Sequence, residues 1–117
     1  MTLPEADWRL LRAIRQTALD RYCARVLQEC ATGIEATNSS AHDRYLRLFR
    51  LVNERDASLA AAFNDLRRST AIQRLASMVA LGVVTDEELS RFSQATRDSA
   101  TTVADLQRCG AKRRDPR

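Results

Sequence analysis

The sequence has few of the residues that interrupt helices. Of its 117 residues only three are glycine and two are proline, and Pro4 and Pro116 lie at the two ends. Proline fixes φ and removes a backbone donor, and an internal glycine costs a helix about 1 kcal/mol, so the stretch between the prolines favours long helices. Alanine, leucine and arginine are abundant, whereas isoleucine and valine are sparse. The composition therefore predicts an all-α protein.

Histidine is nearly absent, which removes most routes to catalysis. The single histidine, His42, precedes Asp43 in the predicted first turn of a helix, and adjacent helical residues do not face each other. The sequence has no CxxC or HxxxH spacing and no glycine-rich phosphate loop. Cys23 and Cys30 are seven residues apart, so about 10 Å separates their backbones along a helix, too far to share a zinc ion. We expect no enzymatic activity, no cofactor and no metal.

A long apolar run is also missing. The longest uncharged stretch, Leu75–Thr85, spans eleven residues, whereas a membrane-spanning helix needs about twenty. The N-terminal residues MTLPEADWRL contain two acids and no apolar segment typical of a secretory signal. Three cysteines without close pairing favour a reducing compartment over a disulfide framework. These features predict a cytoplasmic protein that does not contact a membrane.

The net charge of +4 is confined to one end of the chain. Residues 108–117 hold five basic residues and one acid, whereas residues 1–107 hold fourteen of each sign. The basic balance therefore belongs to the C-terminal segment, where Lys112, Arg113 and Arg114 could meet phosphates or an acidic partner. We expect residues 1–109 to form one helical domain and residues 110–117 to form a disordered basic tail.

Apolar residues recur at spacings of three and four, as amphipathic helices require. The first helix is expected from about Pro4 to Glu35, and thirty helical residues would reach about 45 Å, which exceeds a compact domain of this size. It should either break near Arg15–Asp20 or project and pack on a partner. The second helix is expected to begin at the N-cap Ser40 and to turn a regular apolar face to the core: Tyr45, Leu48, Phe49, Val52, Leu59, Ala62, Phe63 and Leu66.

The remaining helices are separated by a well-marked corner. A third helix over about 65–81 should end at Gly82, and Thr85 with Glu88 forms a capping box that begins the next one. The last helix is expected over about 94–108, with its inward face formed by Ala100, Val103, Ala104 and Leu106. In total the pattern predicts four to five helices in a bundle-like domain.

Three groups of arginines recur at helical spacing and could contact phosphates: Arg9, Arg12 and Arg15; Arg44, Arg47 and Arg50; and Arg67, Arg68 and Arg74. Nearby acids balance them, and no aromatic platform for single strands is interleaved with them. A small DNA-binding regulator that uses Arg44, Arg47, Arg50 and the basic tail is therefore the alternative prediction.

The leading prediction comes from the first helix, which has more apolar surface than the body needs. Trp8, Leu11, Arg15 and Tyr22 lie within a few turns of one another, and Trp, Tyr and Arg are enriched in interface hot spots. We expect these four residues to contact a partner. The protein is then a non-catalytic accessory or adaptor factor, for example of the inhibitor or immunity type, that binds another protein or a second copy of itself.

Overall fold

The protein is built from helices alone throughout the part that the structure describes. The computed structural model describes residues 3–114, with side chains described up to Gly110, and no strand occurs in that range. The helices are α1 (Glu5–Glu35), α2 (Ala41–Phe63), α3 (Ala71–Ala80), α4 (Asp86–Ser90) and α5 (Gln94–Arg114), with a single 3-10 turn, Arg68–Thr70, before α3. The prediction of an all-α, bundle-like fold with four to five helices is confirmed.

The first helix does not break. It runs for 31 residues from the N-cap Pro4 to Glu35, which corresponds to about 46 Å in a molecule whose longest dimension is 52 Å. Of the two predictions for this helix, the projecting end is the one observed.

The second helix returns antiparallel to α1 and forms a hairpin with it. It begins as predicted, since the Ser40 side chain accepts a hydrogen bond from the Asp43 amide at 3.0 Å. Three contacts fix the register of the two helices along their whole length: Arg44 with the Ile34 carbonyl, Arg55 with the Glu29 carboxylate, and Arg15 with the Phe63 carbonyl.

The core lies at one end of this hairpin only. The helices α3, α4 and α5 form a body against the first half of α1 and the end of α2, and Leu11, Phe63, Leu75 and Met78 are fully buried within it. By contrast, no residue from 23 to 61 is buried. We call residues 23–61 the distal hairpin, because none of them is buried and most of this part extends beyond the body.

The corner between α3 and α4 has the geometry that its sequence predicts. Gly82 has a φ of +74°, and the Gly82 and Val83 amides donate to the carbonyls of Val79 and Met78 at 3.0 and 3.2 Å. These two hydrogen bonds end a helix at a residue in the left-handed conformation. Glycine adopts this conformation without steric cost. The corner thereby turns Val83 into the core, where it is buried.

The capping box at the start of α4 is confirmed and is anchored from α1. Thr85 and Glu88 exchange their side-chain and backbone hydrogen bonds at 3.0 and 3.1 Å. Arg21 of α1 donates to both oxygens of the Glu88 carboxylate, at 2.7 and 3.0 Å, and to the Val83 carbonyl at 3.0 Å. These hydrogen bonds from Arg21, assisted by the Thr85 amide and opposed by partial burial, lower the pKa of Glu88 to about 2.

A buried carboxylate ties the beginning of α1 to the beginning of α5. Asp7 is only 3% exposed. It accepts hydrogen bonds from the Ser93 amide at 3.0 Å, from the Ser93 hydroxyl at 2.6 Å and from the Thr96 hydroxyl at 2.6 Å. Burial alone would raise the pKa of Asp7, but these three hydrogen bonds hold it below its ordinary value. The negative charge also lies at the electropositive end of α5.

Several expectations about burial and helix ends are wrong. Tyr45, Phe49, Val52 and Leu106 were expected to face the core and are exposed. Periodicity identifies an apolar stripe but not the element that covers it, and nothing in residues 3–110 covers these side chains. The helix α5 also passes Gly110 and continues to Arg114. The side chains of residues 111–114 and all of residues 115–117 lie outside the described part of the chain, so the disordered tail stays a prediction.

The Glu88 contact predicts a specific pH dependence. Its carboxyl is harder to protonate in the folded protein than in the unfolded chain, so its stabilisation is present in full above pH 4.5 and is lost as the pH falls towards 2. Glu88→Gln should lower the free energy of unfolding by about 1–3 kcal/mol at pH 7 and flatten its dependence between pH 5 and pH 2.5. Urea unfolding across this range measures both effects. The neighbouring Glu87→Gln, at an exposed carboxylate paired with Arg91, serves as control and should retain the loss of stability that protonation of Glu88 causes.

Candidate functional site

Two kinds of site were sought among the described residues: a cluster of metal-ligating side chains and a membrane-spanning helix. No group of three or more His, Cys, Asp or Glu side chains within them could hold a metal ion. Nor does any helix in the described range have the length and hydropathy needed to cross a membrane. The single histidine, His42, is exposed at the start of α2.

The four residues predicted to bind a partner do not form one surface. Leu11 is fully buried in the core, and Tyr22 is 3% exposed. The ring centroid of Tyr22 lies 6.4 Å from that of Phe63, and its hydroxyl donates to the Arg55 carbonyl at 3.1 Å. The prediction of partner contacts is therefore corrected for Leu11 and Tyr22, because the body that packs on this part of α1 covers both.

Trp8 and Arg15 lie at the rim of the body. Trp8 is half-buried, and the Arg12 guanidinium lies 5.9 Å from the centre of a Trp8 ring. Arg15 donates to the Phe63 carbonyl at 3.0 Å. This carbonyl lies at the end of α2, where it has no hydrogen-bond donor within the helix. With Arg12 they line an open cleft. Trp8 seals the end of the core here, and a partner contact by Trp8 or Arg15 stays a prediction.

The arginines proposed as phosphate contacts are largely engaged within the fold. Arg44 donates to the Ile34 carbonyl at 2.8 Å and Arg47 to the Ser39 hydroxyl, while Arg50 is exposed.

Other arginines also donate to backbone carbonyls at helix ends. Guanidinium groups from distant parts of the chain donate to carbonyls at or near helix C-termini, where four carbonyls per helix lack an internal partner: Arg15 at α2, Arg25 and Arg108 at α3, Arg44 at α1 and Arg74 at α2.

The most extensive exposed apolar surface lies on the distal hairpin. Leu27 of α1 is 68% exposed and Phe49 of α2 is 60% exposed. Further apolar side chains continue the two helical stripes to which they belong. We call this set the apolar strip: Cys23, Leu27, Cys30 and Ile34 from α1, and Tyr45, Phe49 and Val52 from α2.

Spacing and register bring the two stripes to one side of the hairpin. Positions on α1 are separated by four, three and four residues and those on α2 by four and three, so each set follows one helix face. Cys23, Leu27, Cys30 and Val52 line one shallow groove between the helices. Its other apolar lining residues are Tyr22, Val26 and Leu59. The strip is therefore a continuous surface formed by both helices.

The strip itself carries no charge, but charged residues lie at its ends. On α1 the stripe continues towards the body into Asp20, and on α2 it continues into Asp56, both exposed. At the loop end, His42 precedes Tyr45 by one turn and is exposed as well. Arg55 and Asp56 both line the groove near the body, and the exposed Glu35 follows Ile34 at the loop end, so charges of both signs surround an apolar middle.

Sequence reasoning identified the excess of apolar surface on the first helix but misplaced the stripe on α2. The α2 stripe was recognised from its regular spacing but was expected to be core. Cys23 and Cys30 are half-buried in the groove. The signal that could have revealed the strip is the length of the hairpin, because helices that extend beyond their body keep any apolar stripe exposed.

No family model matches this chain, and the searches of curated proteins and solved structures likewise return no match.

The exposure of Phe49 has a direct consequence for stability. Phe49→Ser should change the free energy of unfolding by less than about 0.5 kcal/mol, because surface substitutions away from packed features have small effects. Phe63→Ser, at a buried phenylalanine of the same helix, should cost at least about 3 kcal/mol. Urea unfolding followed by circular dichroism at low micromolar concentration compares the two. Equal losses for both variants would show that Phe49 belongs to the core.

Proposed function

We propose that the protein is a non-catalytic helical module that binds another protein chain through the apolar strip. The observation that carries this proposal is the exposure of five large apolar side chains along one side of a two-helix hairpin: Leu27, Ile34, Tyr45, Phe49 and Val52. Single exposed apolar residues are ordinary, but contiguous apolar patches on soluble proteins commonly mark interaction sites.

The geometry of the strip suits the packing of helices. From Cys23 to Ile34 it runs about 18 Å along α1, and two adjacent helices give it a width of about 20 Å. The shallow groove between Leu27 and Val52 can receive side chains at helical spacing. Such a surface is typical of the recognition mode in which an amphipathic helix lays its apolar face into a groove.

The energetics point to moderate affinity. Burying a large apolar side chain completely is worth about 1.5–3 kcal/mol, and those of the strip are already partly covered. Five such contacts therefore give a gross gain of the same order as the cost of association, which is about 4–15 kcal/mol. The packing of α1 against α2 reduces the conformational entropy lost on binding, because the side chains of the strip are already held in place in the free protein.

The chemistry of the module is consistent with an accessory role. An adaptor, inhibitor or immunity-type factor acts by occupying a surface of its partner, which needs no catalytic group or cofactor. The free thiols Cys23 and Cys30 line the strip itself, and a reducing cytoplasm would keep such a surface intact. We therefore propose a cytoplasmic location.

The DNA-binding alternative has less support. Arg44 is held by the end of α1, and members of the other two arginine groups pair with carbonyls or carboxylates, as Arg15 does with the Phe63 carbonyl and Arg67 with the Asp65 carboxylate. A guanidinium that satisfies a helix end is not free to neutralise a phosphate without leaving that carbonyl orphaned. Contacts by Lys112, Arg113 and Arg114 stay a prediction.

Photo-crosslinking in cells of the source organism tests the proposal. A benzophenone amino acid at position 49 should give light-dependent protein adducts, because this position lies in the middle of the α2 stripe. The matched control is position 106, where Leu106 is 66% exposed on α5 and lies outside the strip. We expect adducts at position 49 and few at position 106. Adducts at neither position, or equal yields at both, would overturn the proposed use of the strip.

A further inference from the structure

We infer that the cleft beside Trp8 is a second binding site, which takes a small organic phosphate with a flat apolar body. The phosphate would bind Arg12 and Arg15, and the apolar body would lie against Trp8. This cleft is separate from the apolar strip, which begins at Cys23, about 12 Å from Arg15 along α1. The inference therefore does not depend on the proposed function.

The cleft has the size and the mixed lining of a small-molecule site. It lies between α1 and the connection from α2 to α3 and has a volume of about 470 Å³, within the range of about 300–1,000 Å³ that is typical of such sites. Trp8 and Leu66 contribute apolar surface, while Arg12, Arg15 and Asn64 carry N–H donors. This lining suits a ligand with an apolar body and one group that accepts hydrogen bonds.

Both arginines of the cleft have donors available for a ligand. Arg12 is exposed, and its guanidinium lies over the Trp8 ring, 5.9 Å from the ring centre. Arg15 donates to the Phe63 carbonyl through Nε and Nη2, at 3.3 and 3.0 Å, so its Nη1 is not used in this contact. Arg21 shows that one guanidinium in this fold can bond a carbonyl and an anionic oxygen at the same time. A phosphate can thus bind Arg12 without displacing Arg15 from the end of α2.

Two groups of arginines that are distant in the sequence meet around the cleft. One comes from α1 and the other from the segment that follows α2: Arg9, Arg12 and Arg15, and Arg67, Arg68 and Arg74. Arg9 and Arg68 bind different oxygens of the same carboxylate, Glu5, at 3.2 and 2.9 Å. Arg74 donates at 2.8 Å to the carbonyl of Asn64, a residue that lines the cleft. The fold therefore concentrates positive charge at this end of the body.

The positive charge of this patch exceeds its negative charge. Asp65 is the one acid among the residues that line the cleft, and Arg67 donates to both of its oxygens, at 2.7 and 2.8 Å. Glu5 is shared by two arginines, and Asp7 is buried against α5 instead. Six arginines around Glu5 and Asp65 leave a surplus of four positive charges. This surplus favours a phosphate monoester, which carries nearly two negative charges, over a singly charged carboxylate.

The same contacts favour one phosphate group over a chain of them. A nucleic acid is held by many cations that each neutralise a phosphate along its backbone. Here Arg67, Arg68 and Arg74 are bound to carboxylates or carbonyls of the fold. They add to the local potential, but direct contact falls to Arg12 and Arg15 in the cleft. Two adjacent guanidinium groups suit a single phosphate.

The fluorescence of Trp8 tests the inference directly, because it is the only tryptophan of the chain. Titration of the purified full chain with phenyl phosphate at constant ionic strength should give a saturable change. The expected Kd is roughly 0.1–1 mM for a ligand of about eleven non-hydrogen atoms in an open cleft. Inorganic phosphate and benzyl alcohol should each bind at least about tenfold more weakly, because each lacks one part of the ligand. Isothermal titration calorimetry repeats the measurement without relying on Trp8.

A pair of arginine variants tests the role of the charge. Arg12→Gln removes a charged donor that holds no helix end, and it should weaken phenyl phosphate binding about tenfold. Arg50→Gln makes the same change at an exposed arginine of the distal hairpin and should leave the Kd unchanged. Circular dichroism confirms that both variants fold.

Each of the other outcomes overturns a stated part of the inference. Absence of saturable binding of phenyl phosphate, or equal affinity in the Arg12→Gln variant, overturns the site. Equal affinity for inorganic phosphate overturns the role of Trp8, and equal affinity for benzyl alcohol overturns the recognition of phosphate. If a short single-stranded DNA binds more tightly than phenyl phosphate and loses affinity in Arg12→Gln, the cleft belongs to nucleic acid and the small ligand is wrong. Crosslinking at position 49 tests the apolar strip independently of all these results.

Discussion

A single uninterrupted helix of 31 residues, α1, is longer than the body that packs against it. Its first half is covered by α3, α4 and α5, and its buried residues end at Tyr22. The same constraint applies to α2, which follows α1 in register and has only Ala62 and Phe63 buried, at its body end. The short helices α3 and α4 cannot reach further. The division into a packed body and a distal hairpin, and with it the position of the apolar strip, thus follows from the length of one helix.

Arginine connects these helices to one another. Ordinary surface ion pairs contribute little to stability, but hydrogen bonds from a charged donor to an orphan carbonyl are stronger than neutral ones. Arg15 reaches the end of α2, Arg44 the end of α1, and Arg25 the end of α3. Eighteen of the nineteen basic residues are arginine, whose planar fork can bond two groups at once, as Arg21 does with Glu88. The arginine groups that could contact phosphates thus include residues that hold the helices together.

Features that depend on neighbouring residues could be predicted from the sequence, whereas those that depend on distant ones could not. The Ser40 cap, the left-handed Gly82 and the Thr85–Glu88 capping box are set within a few residues, and all three are present. Phe49 and Phe63 belong to the same periodic stripe, yet one is exposed and the other buried. That difference depends on which helices of the body pack beside each turn of α2, and the local sequence pattern does not specify those contacts.

The distal hairpin also has consequences for the dynamics of the chain. Segments with few buried contacts open locally at lower free energy than the core, so the amides of residues 23–61 should exchange with solvent before those of α3. A partner that binds the strip would favour the closed hairpin and would raise its protection by the free energy of binding. Binding and local order are thus linked in this molecule. The exposed apolar strip lies on the part of the fold that opens most easily, so a bound partner would stabilise this part most.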